Sequence, residues 1–223
     1  MSPLTTRLAG PALVVAALAF PAAASADQPK CHGHRATIVG TNHGDTIVGT
    51  NHRDVIVARG GDDTVRGRGG NDIICAGKGN DKVFGGAGRD VIDGGSGNDV
   101  EHGGSGDDTL NGNDGDDVLE GDQGDDVESG DRGDDVENGG AGNDELNGDQ
   151  GNDELNGDDG DDVEHGGSGD DHLNGGPGAD TERGDEGSDH IESGSGDHVE
   201  SDSGDTVDHS GDGGSGGDSG HGD

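Results

Sequence analysis

The chain has 223 residues, of which 51 are Asp or Glu, 12 are Lys or Arg and 52 are Gly, and its formal net charge is −39. With no Trp or Tyr and only two Phe, it has too little apolar bulk for an ordinary globular core to offset the conformational entropy of the chain. The negative charge argues against nucleic acid and anionic membranes as partners, because both would repel the chain, and it favours cations.

The first 26 residues have the organisation of a secretory signal peptide. A single positive charge, Arg7, precedes an apolar run from Leu8 to Phe20, and the small residues 24–26 (ASA) fit an A-x-A cleavage site. A membrane anchor is the alternative, but the apolar run is short and is interrupted by Gly and Pro. We therefore expect residues 1–26 to be removed and the mature chain, which begins at Asp27, to be soluble and secreted.

A nine-residue repeat begins at Gly40 and stays in register up to Glu192. It gives seventeen consecutive blocks, among them GTNHGDTIV, AGKGNDKVF and GGAGRDVID, and the sixth residue of every block is Asp. Two eight-residue blocks follow, so the repeat domain is predicted to cover residues 40–208, before a Gly/Ser/Asp-rich tail, residues 209–223, that we predict to be disordered. The preceding block has Ala36 in place of the Asp, so residues 27–39 are predicted to be a capping segment.

Each block divides into a turn of six residues and a strand of three. Gly dominates the turn, and Asp stands at its second position in several blocks, because Gly, and next to it Asn or Asp, accept the positive φ that tight turns need. Side chains alternate across the strand, so the eighth position points away from the seventh and ninth. That position is apolar in the first six blocks and is predicted to form the core: Ile47, Ile56, Val65, Ile74, Val83 and Ile92.

The repeat resembles the G-G-x-G-x-D-x-U-x pattern of the RTX, or haemolysin-type, calcium-binding repeats, and the resemblance extends from about Cys31 to Asp208. It implies an all-β fold: a parallel β-roll, an RTX-type β-solenoid with two nonapeptide repeats per turn and Ca²⁺ held between stacked turns. The metal ligands that it implies are the sixth-position aspartates, Asp45, Asp54, Asp63, Asp72, Asp81, Asp90, Asp99, Asp108, Asp117, Asp126, Asp135, Asp144, Asp153, Asp162, Asp171, Asp180 and Asp189.

If two blocks make one coil, residues eighteen apart stack, and Asp63 follows Asp45 at a strand spacing of about 4.8 Å. Two unit charges at that distance repel each other by about 3–4 kcal/mol at an effective dielectric constant of 20. Ca²⁺ suits such a site because it accepts many oxygen ligands in loose geometry, whereas Mg²⁺ requires an octahedron and zinc prefers Cys or His. Because no single turn holds a full ligand set, we expect calcium binding and folding to be one event, after export.

Five blocks have Glu where the apolar residue belongs: Glu101, Glu128, Glu137, Glu164 and Glu182. Two alternatives remain open. Either the neighbouring valines, such as Val100, turn inward with local rearrangement, or the glutamates point inward at a real cost in free energy. We expect residues 40–93 to form the firmest part of the roll and residues 94–208 a looser part held mainly by calcium.

The only two cysteines, Cys31 and Cys75, are candidates for one disulfide in an exported protein. In an ideal roll they lie on opposite faces, so a bridge requires the capping segment to fold back over the roll, and two separate thiols are the alternative. The eleven His show no spacing typical of a zinc site and are predicted to be solvated.

No sequence context typical of a catalytic nucleophile is present, so we expect the chain not to be an enzyme. RTX repeats commonly accompany a toxin, protease, lipase or epimerase domain and a C-terminal export signal, and this chain departs from both. The expected function is that of a secreted calcium-binding protein. The alternative is a cell-surface or matrix module in which calcium bridges the chain to anionic polysaccharide.

Overall fold

The computed structural model describes residues 28–209 and, before them, the single strand Val14–Ala16. The predicted signal peptide, apart from that strand, and the predicted tail beyond residue 209 lie outside the described residues. Across the described residues the secondary structure consists of strands and turns, and no helix there has the length and apolar character needed to cross a bilayer.

Twenty-three strands follow one another along the described chain, most of them six residues long. They are β1 (Val14–Ala16), β2 (Lys30–Cys31), β3 (His34–Arg35), β4 (Ile38–Val39), β5 (Thr46–Val48), β6 (Val55–Gly60), β7 (Thr64–Gly69), β8 (Ile73–Lys78), β9 (Lys82–Ala87), β10 (Val91–Ser96), β11 (Val100–Ser105), β12 (Thr109–Asp114), β13 (Val118–Gln123), β14 (Val127–Arg132), β15 (Val136–Ala141), β16 (Glu145–Gln150), β17 (Glu154–Asp159), β18 (Val163–Ser168), β19 (His172–Asn174), β20 (Thr181–Glu186), β21 (His190–Ser193), β22 (His198–Glu200) and β23 (Thr206–His209).

The strands form two parallel sheets that face each other. The odd sheet has eleven strands in the order β1, β5, β7 and onward through the odd numbers to β23, and the even sheet has ten strands from β4 to β22. Within the nine-residue blocks, paired residues are eighteen positions apart, as in Ile47↔Val65 and Val65↔Val83. Two blocks therefore make one coil, and the predicted parallel β-roll is confirmed.

Most strands are longer than the three residues predicted, because they continue through the first three positions of the next block. The second position of the block makes this possible, since a residue with positive φ there redirects the chain while pairing continues. Gly77 and Gly86 have this conformation, with φ of 117° and 114°. The acidic residues predicted to adopt it do so, with φ between 65° and 73°: Asp122, Asp131, Asp149, Asp158 and Asp185.

Eighth-position side chains fill the space between the two sheets. The apolar ones are at most 1% exposed: Ile47, Ile56, Val65, Ile74, Val83, Ile92, Leu110, Leu119, Leu146, Leu155, Leu173 and Ile191. Burying each such side chain contributes about 1.5–3 kcal/mol. One apolar cluster runs from Ile38 to Leu119 and a second from Leu146 to Ile191, and they are separate because Glu128 and Glu137 occupy the positions between them.

The five core glutamates do point inward, which settles the two alternatives. Each is 0% exposed, and each pairs in the same register as its apolar counterparts, as in Leu110↔Glu128. We expected a looser roll beyond residue 94, but strand length and register do not change there. Strands β11 to β18 are six residues long, as are β6 to β10. The cost of burial does not exclude the inward position, because the backbone register, set by the turns and by continuous strand pairing, leaves the glutamates no outward position.

The capping segment folds back over the even sheet. β2 and β3 form an antiparallel hairpin, and Cys31 joins Cys75 of β8 in a disulfide with its Cα atoms 5.8 Å apart. Around the bridge, Ala36 packs with residues on the outer face of β6 and β8, among them Val57 and Ile73. The capping segment thus folds back over the roll, as the disulfide requires. It also covers an apolar patch that would otherwise face water.

Candidate metal centre

The seventeen sixth-position aspartates, here called the repeat aspartates, lie in two ladders along the roll. The odd ladder precedes the odd strands and contains Asp45, Asp63, Asp81, Asp99, Asp117, Asp135, Asp153, Asp171 and Asp189. The even ladder precedes the even strands and contains Asp54, Asp72, Asp90, Asp108, Asp126, Asp144, Asp162 and Asp180. All seventeen are buried, with exposures between 0% and 7%. The predicted stacking of residues eighteen apart is thus observed.

In the fifteen repeat aspartates from Asp63 to Asp189, one carboxylate oxygen joins successive coils. The backbone N–H of Asp117 donates to Oδ1 of Asp135 over 2.7 Å, and that of Asp135 donates to Oδ1 of Asp153 over 2.8 Å. The same bond recurs at every step of both ladders from Asp45 and Asp54 to Asp189. Each bond fixes the orientation of one carboxylate.

The second oxygen is left without a donor. Oδ2 is buried and makes no hydrogen bond in the fifteen repeat aspartates from Asp63 to Asp189. Burial of these groups raises the pKa of Asp72 to about 7 and that of Asp90 to about 6, against an ordinary value of 3.8. A buried carboxylate oxygen without a partner is costly, so a row of fifteen indicates that a positively charged species belongs beside them.

Backbone carbonyls add further oxygens next to the free Oδ2 atoms. The first residue of a block is Gly in most blocks, and a Cβ built on Gly103 would lie 2.6 Å from Oδ2 of Asp108 and 2.9 Å from the carbonyl oxygen of Gly121. Glycine therefore leaves space where a carboxylate oxygen and a carbonyl oxygen of the next coil converge. Carboxylate and carbonyl oxygens are the ligands that Ca²⁺ takes in proteins, so the residues present fit the ion that the sequence implies.

The first repeat aspartate of each ladder differs from the rest. Oδ2 of Asp45 accepts the backbone N–H of Thr41 over 2.6 Å, and Oδ2 of Asp54 accepts that of Thr50 over 2.7 Å. The Thr50 hydroxyl also donates to Oδ2 of Asp54, over 2.9 Å. These two carboxylates are satisfied by the chain itself, which sets them apart from the fifteen that follow.

Two further aspartates continue the ladders beyond the predicted set. The backbone N–H of Asp180 donates to Oδ1 of Asp197, and that of Asp189 donates to Oδ1 of Asp205, each over 3.2 Å. Both acceptors belong to the eight-residue blocks, whose coils are shorter by one or two residues. The signal was present in the sequence, because each of these blocks keeps its Asp three residues before the block ends.

The core glutamates place a second set of carboxylates close to the ladders. A Cβ built on Gly121 would lie 2.6 Å from Oδ2 of Asp126 and 2.8 Å from Oε1 of Glu128. Oε1 of Glu182 accepts the backbone N–H of Gly175 over 3.1 Å, and the other nine glutamate oxygens make no hydrogen bond of standard length and angle, although the backbone amides of Gly121 and Gly130 lie close to Glu128 and Glu137. Burial raises the pKa of Glu137 to about 8. Ionisation of these interior carboxyls is therefore opposed by burial and by the nearby ladders.

The sequence comparisons agree with this geometry. A family model described as RTX calcium-binding nonapeptide repeat (4 copies) matches residues 39–74, 69–101, 102–137, 129–164 and 165–197. These stretches include every repeat aspartate from Asp45 to Asp189. No curated protein matches the chain.

Proposed function

The chain belongs to the family of RTX calcium-binding nonapeptide repeat proteins, and from that membership we propose that it is an exported protein that folds when it binds calcium outside the cell. The observation that carries the proposal is the row of fifteen buried Oδ2 atoms without a donor. In this view the repeat aspartates and neighbouring backbone carbonyls hold the ions, and calcium supplies the positive charge that these oxygens lack.

Folding is coupled to calcium because like charges are stacked along each ladder. The N–H to Oδ1 bond between neighbours such as Asp99 and Asp117 keeps successive carboxylates one coil apart. Repulsion of about 1 kcal/mol per neighbouring pair even in water, repeated along two ladders, is comparable with the whole stability of a typical domain, about 5–15 kcal/mol. A divalent ion between successive carboxylates turns this repulsion into attraction, and the ligand set exists only when two coils are stacked.

Export is supported by the sequence of the N-terminus and by the disulfide. Residues 1–26 resemble a signal peptide, and extracellular calcium is the supply that the ladders would need. The Cys31–Cys75 disulfide is of a kind that forms and persists in oxidising compartments. The test is the intact mass of the chain recovered from the culture medium of a secreting host: a mature chain that begins at Asp27 is expected, and retention of the uncleaved chain inside the cell contradicts export.

We propose calcium binding, and not catalysis, as the activity of the repeat domain. Supporting this, residues 40–192 are nine-residue repeats in continuous register, followed by two eight-residue repeats. The surface hollow lined by Asn113, Asp131 and Arg132 has no apolar side chain among its lining residues. Small-molecule sites are usually lined mainly by apolar and aromatic side chains.

Far-UV circular dichroism during a calcium titration tests the coupled folding. The metal-free chain is expected to give a coil spectrum and to convert cooperatively to a sheet spectrum as calcium is added. Magnesium at the same concentrations is the control, and it should have a much weaker effect because it tolerates only near-ideal octahedral geometry. A coil spectrum that persists at millimolar calcium contradicts the proposal.

A second candidate function rests on an exposed row of acidic side chains outside the ladders. Asp116 and Asp134 are exposed fifth-position residues that stack one coil apart, linked by the Asp134 N–H to Oδ1 of Asp116 over 3.3 Å. Calcium bound on this surface could bridge the chain to an anionic polysaccharide. Co-sedimentation of the calcium-loaded chain with insoluble acidic polysaccharide, reversed by chelator, supports this role, and equal recovery with a neutral polysaccharide contradicts it.

A further inference from the structure

Two histidines and a glutamate come together on the outer face of the odd sheet. His172 of β19 and His190 of β21 are paired residues on adjacent strands, and their rings stack with centroids 5.0 Å apart. Glu192, two residues beyond His190, lies on the same face, with Oε1 3.5 Å from Nε2 of His172 and 3.9 Å from Nε2 of His190. The three ligand atoms all lie within 4.8 Å of one another.

The two imidazoles present free nitrogen atoms to the same space. Nδ1 of His190 is within hydrogen-bond distance of the Thr206 hydroxyl, 3.1 Å away, which leaves Nε2 for another partner. Nε2 of His172 is buried and makes no hydrogen bond. The distances from Oε1 of Glu192 to the two Nε2 atoms exceed the usual 2.7–3.2 Å of a hydrogen bond. The three side chains therefore do not satisfy one another by hydrogen bonds. Oδ2 of the exposed Asp208 lies 3.9 Å from Nε2 of His190 and could serve as a fourth ligand atom.

We propose that His172, His190 and Glu192 form a binding site for a transition-metal ion of the zinc type, separate from the calcium ladders. Neutral imidazole and carboxylate are typical zinc ligands, whereas Ca²⁺ takes oxygen. In a tetrahedral zinc site with bonds of about 2.0–2.1 Å, ligand atoms are roughly 3.3 Å apart. The separations of 3.5 and 3.9 Å from Glu192 are close to this value. The stacked rings, 18° from parallel, must rotate so that both Nε2 atoms point to one ion, and the half-exposed side chains leave room for that rotation.

The cluster of His102, Glu120 and Asp122 on the same sheet differs from the His172–His190–Glu192 cluster in containing only one imidazole. Nδ1 of His102 lies 2.8 Å from Oε2 of Glu120, the distance of a direct hydrogen-bonded pair, and its ring stacks on Phe84 with centroids 4.9 Å apart. It contains one imidazole, already paired, together with Asp122. His102 therefore serves as a matched control: an outward-facing histidine of the same sheet, beside acidic residues, that lacks the second imidazole.

Spectroscopic titration with Co²⁺ tests the site. The chain, prepared without a histidine tag and saturated with calcium, is titrated with Co²⁺, whose visible absorption reports four-coordinate binding, and zinc is then added to displace it. We expect one strong site. His172→Ala and His190→Ala should each weaken Co²⁺ binding by about a hundredfold or more, since even residues that only support ligands cost 10–100-fold. Glu192→Gln should weaken it less, and His102→Ala should leave it unchanged.

Circular dichroism in calcium accompanies each variant, so that loss of the metal site is distinguished from loss of the fold. The outward-facing side chains of His172 and His190 can be truncated without opening the core, and sheet content should be retained. The proposal is overturned if the calcium-loaded parent chain, with its sheet spectrum, binds no Co²⁺, or if His172→Ala and His190→Ala bind it as tightly as the parent. A parent chain that does not fold in calcium would instead contradict the calcium-dependent fold.

Discussion

Glu164 lies beside Glu182 in the interior of the roll, as its partner on the adjacent strand, and neither side chain is exposed. Burial and then the charge of Glu182 raise the pKa of Glu164 well above its ordinary value, and burial raises that of Glu182 to about 7. Two ionised carboxylates side by side in an apolar interior oppose folding. The roll therefore carries a built-in destabilisation that either protonation or a bound cation relieves.

Replacing this pair with leucine should reduce the calcium requirement. Leu146 is the partner of Glu164 on its other side, so Glu164→Leu combined with Glu182→Leu extends an existing apolar column. Replacing buried charged groups with well-packed apolar residues often stabilises a fold, by about 1–4 kcal/mol, and the calcium concentration at half-folding should fall. Glu154→Leu, on the exposed face, is the control and should have little effect. A higher calcium midpoint in the double variant would contradict this account.

Neutralising one repeat aspartate should weaken calcium binding. In Asp135→Asn the side-chain carbonyl can still accept the N–H of Asp117, but the free carboxylate oxygen is replaced by an amide nitrogen, which cannot bind a cation. We expect the calcium midpoint in circular dichroism to rise by about tenfold, because ligand charge sets calcium affinity. Glu145→Gln makes the same carboxylate-to-amide change at an exposed residue of β16, outside both ladders, and should behave like the parent. Equal midpoints for the two variants would show that Asp135 is not a ligand.

The metal-free chain should fold better in acid than at neutral pH. Burial raises the pKa of Asp72 from 3.8 to about 7 and that of Glu137 from 4.5 to about 8. Groups whose pKa is raised by folding stabilise the fold fully below the ordinary pKa, about pH 4, and this contribution is lost as the pH rises through about 7–8. In EDTA the sheet signal should therefore grow as the pH is lowered from about 8 to about 4. A sheet signal in EDTA that is strongest at high pH would be the opposite result.

Loss of the disulfide should loosen the cap and leave the distant coils intact. The Cys31–Cys75 bridge spans 44 residues, and chain-entropy arguments give about 4 kcal/mol for a closed loop of that length. Because each coil of a solenoid contacts only its neighbours, the effect of Cys31→Ser with Cys75→Ser should be local. Hydrogen exchange in calcium should become faster at Ala36 and Thr37 and remain unchanged at Asp153. Uniform acceleration along the roll would contradict local stabilisation.

The roll and its two ladders were predicted from the resemblance of the nine-residue register to the RTX repeats. The positive φ at residues such as Asp122 was predicted from the turn position of the Asp. The inward glutamates were not predictable from burial cost, because continuous pairing of the coils outweighs the preference of one side chain. The repeat could not decide whether the disulfide forms, because the bridge depends on the hairpin Lys30–Arg35, which lies outside the repeat pattern. The His172–His190 pair was predictable in principle, since the same eighteen-residue stacking that aligned the aspartates aligns these two rings.

Small-angle X-ray scattering of the chain in EDTA and in calcium tests the central claim most directly, because it reports the size of the whole molecule. If calcium is required to hold the coils together, the radius of gyration in EDTA at neutral pH should be about 50 Å, as for an unfolded chain of this length, and should fall below about 20 Å in calcium. A compact particle of the same radius in both conditions would contradict the account, because stacked ladders of carboxylates would then be stable without the ion.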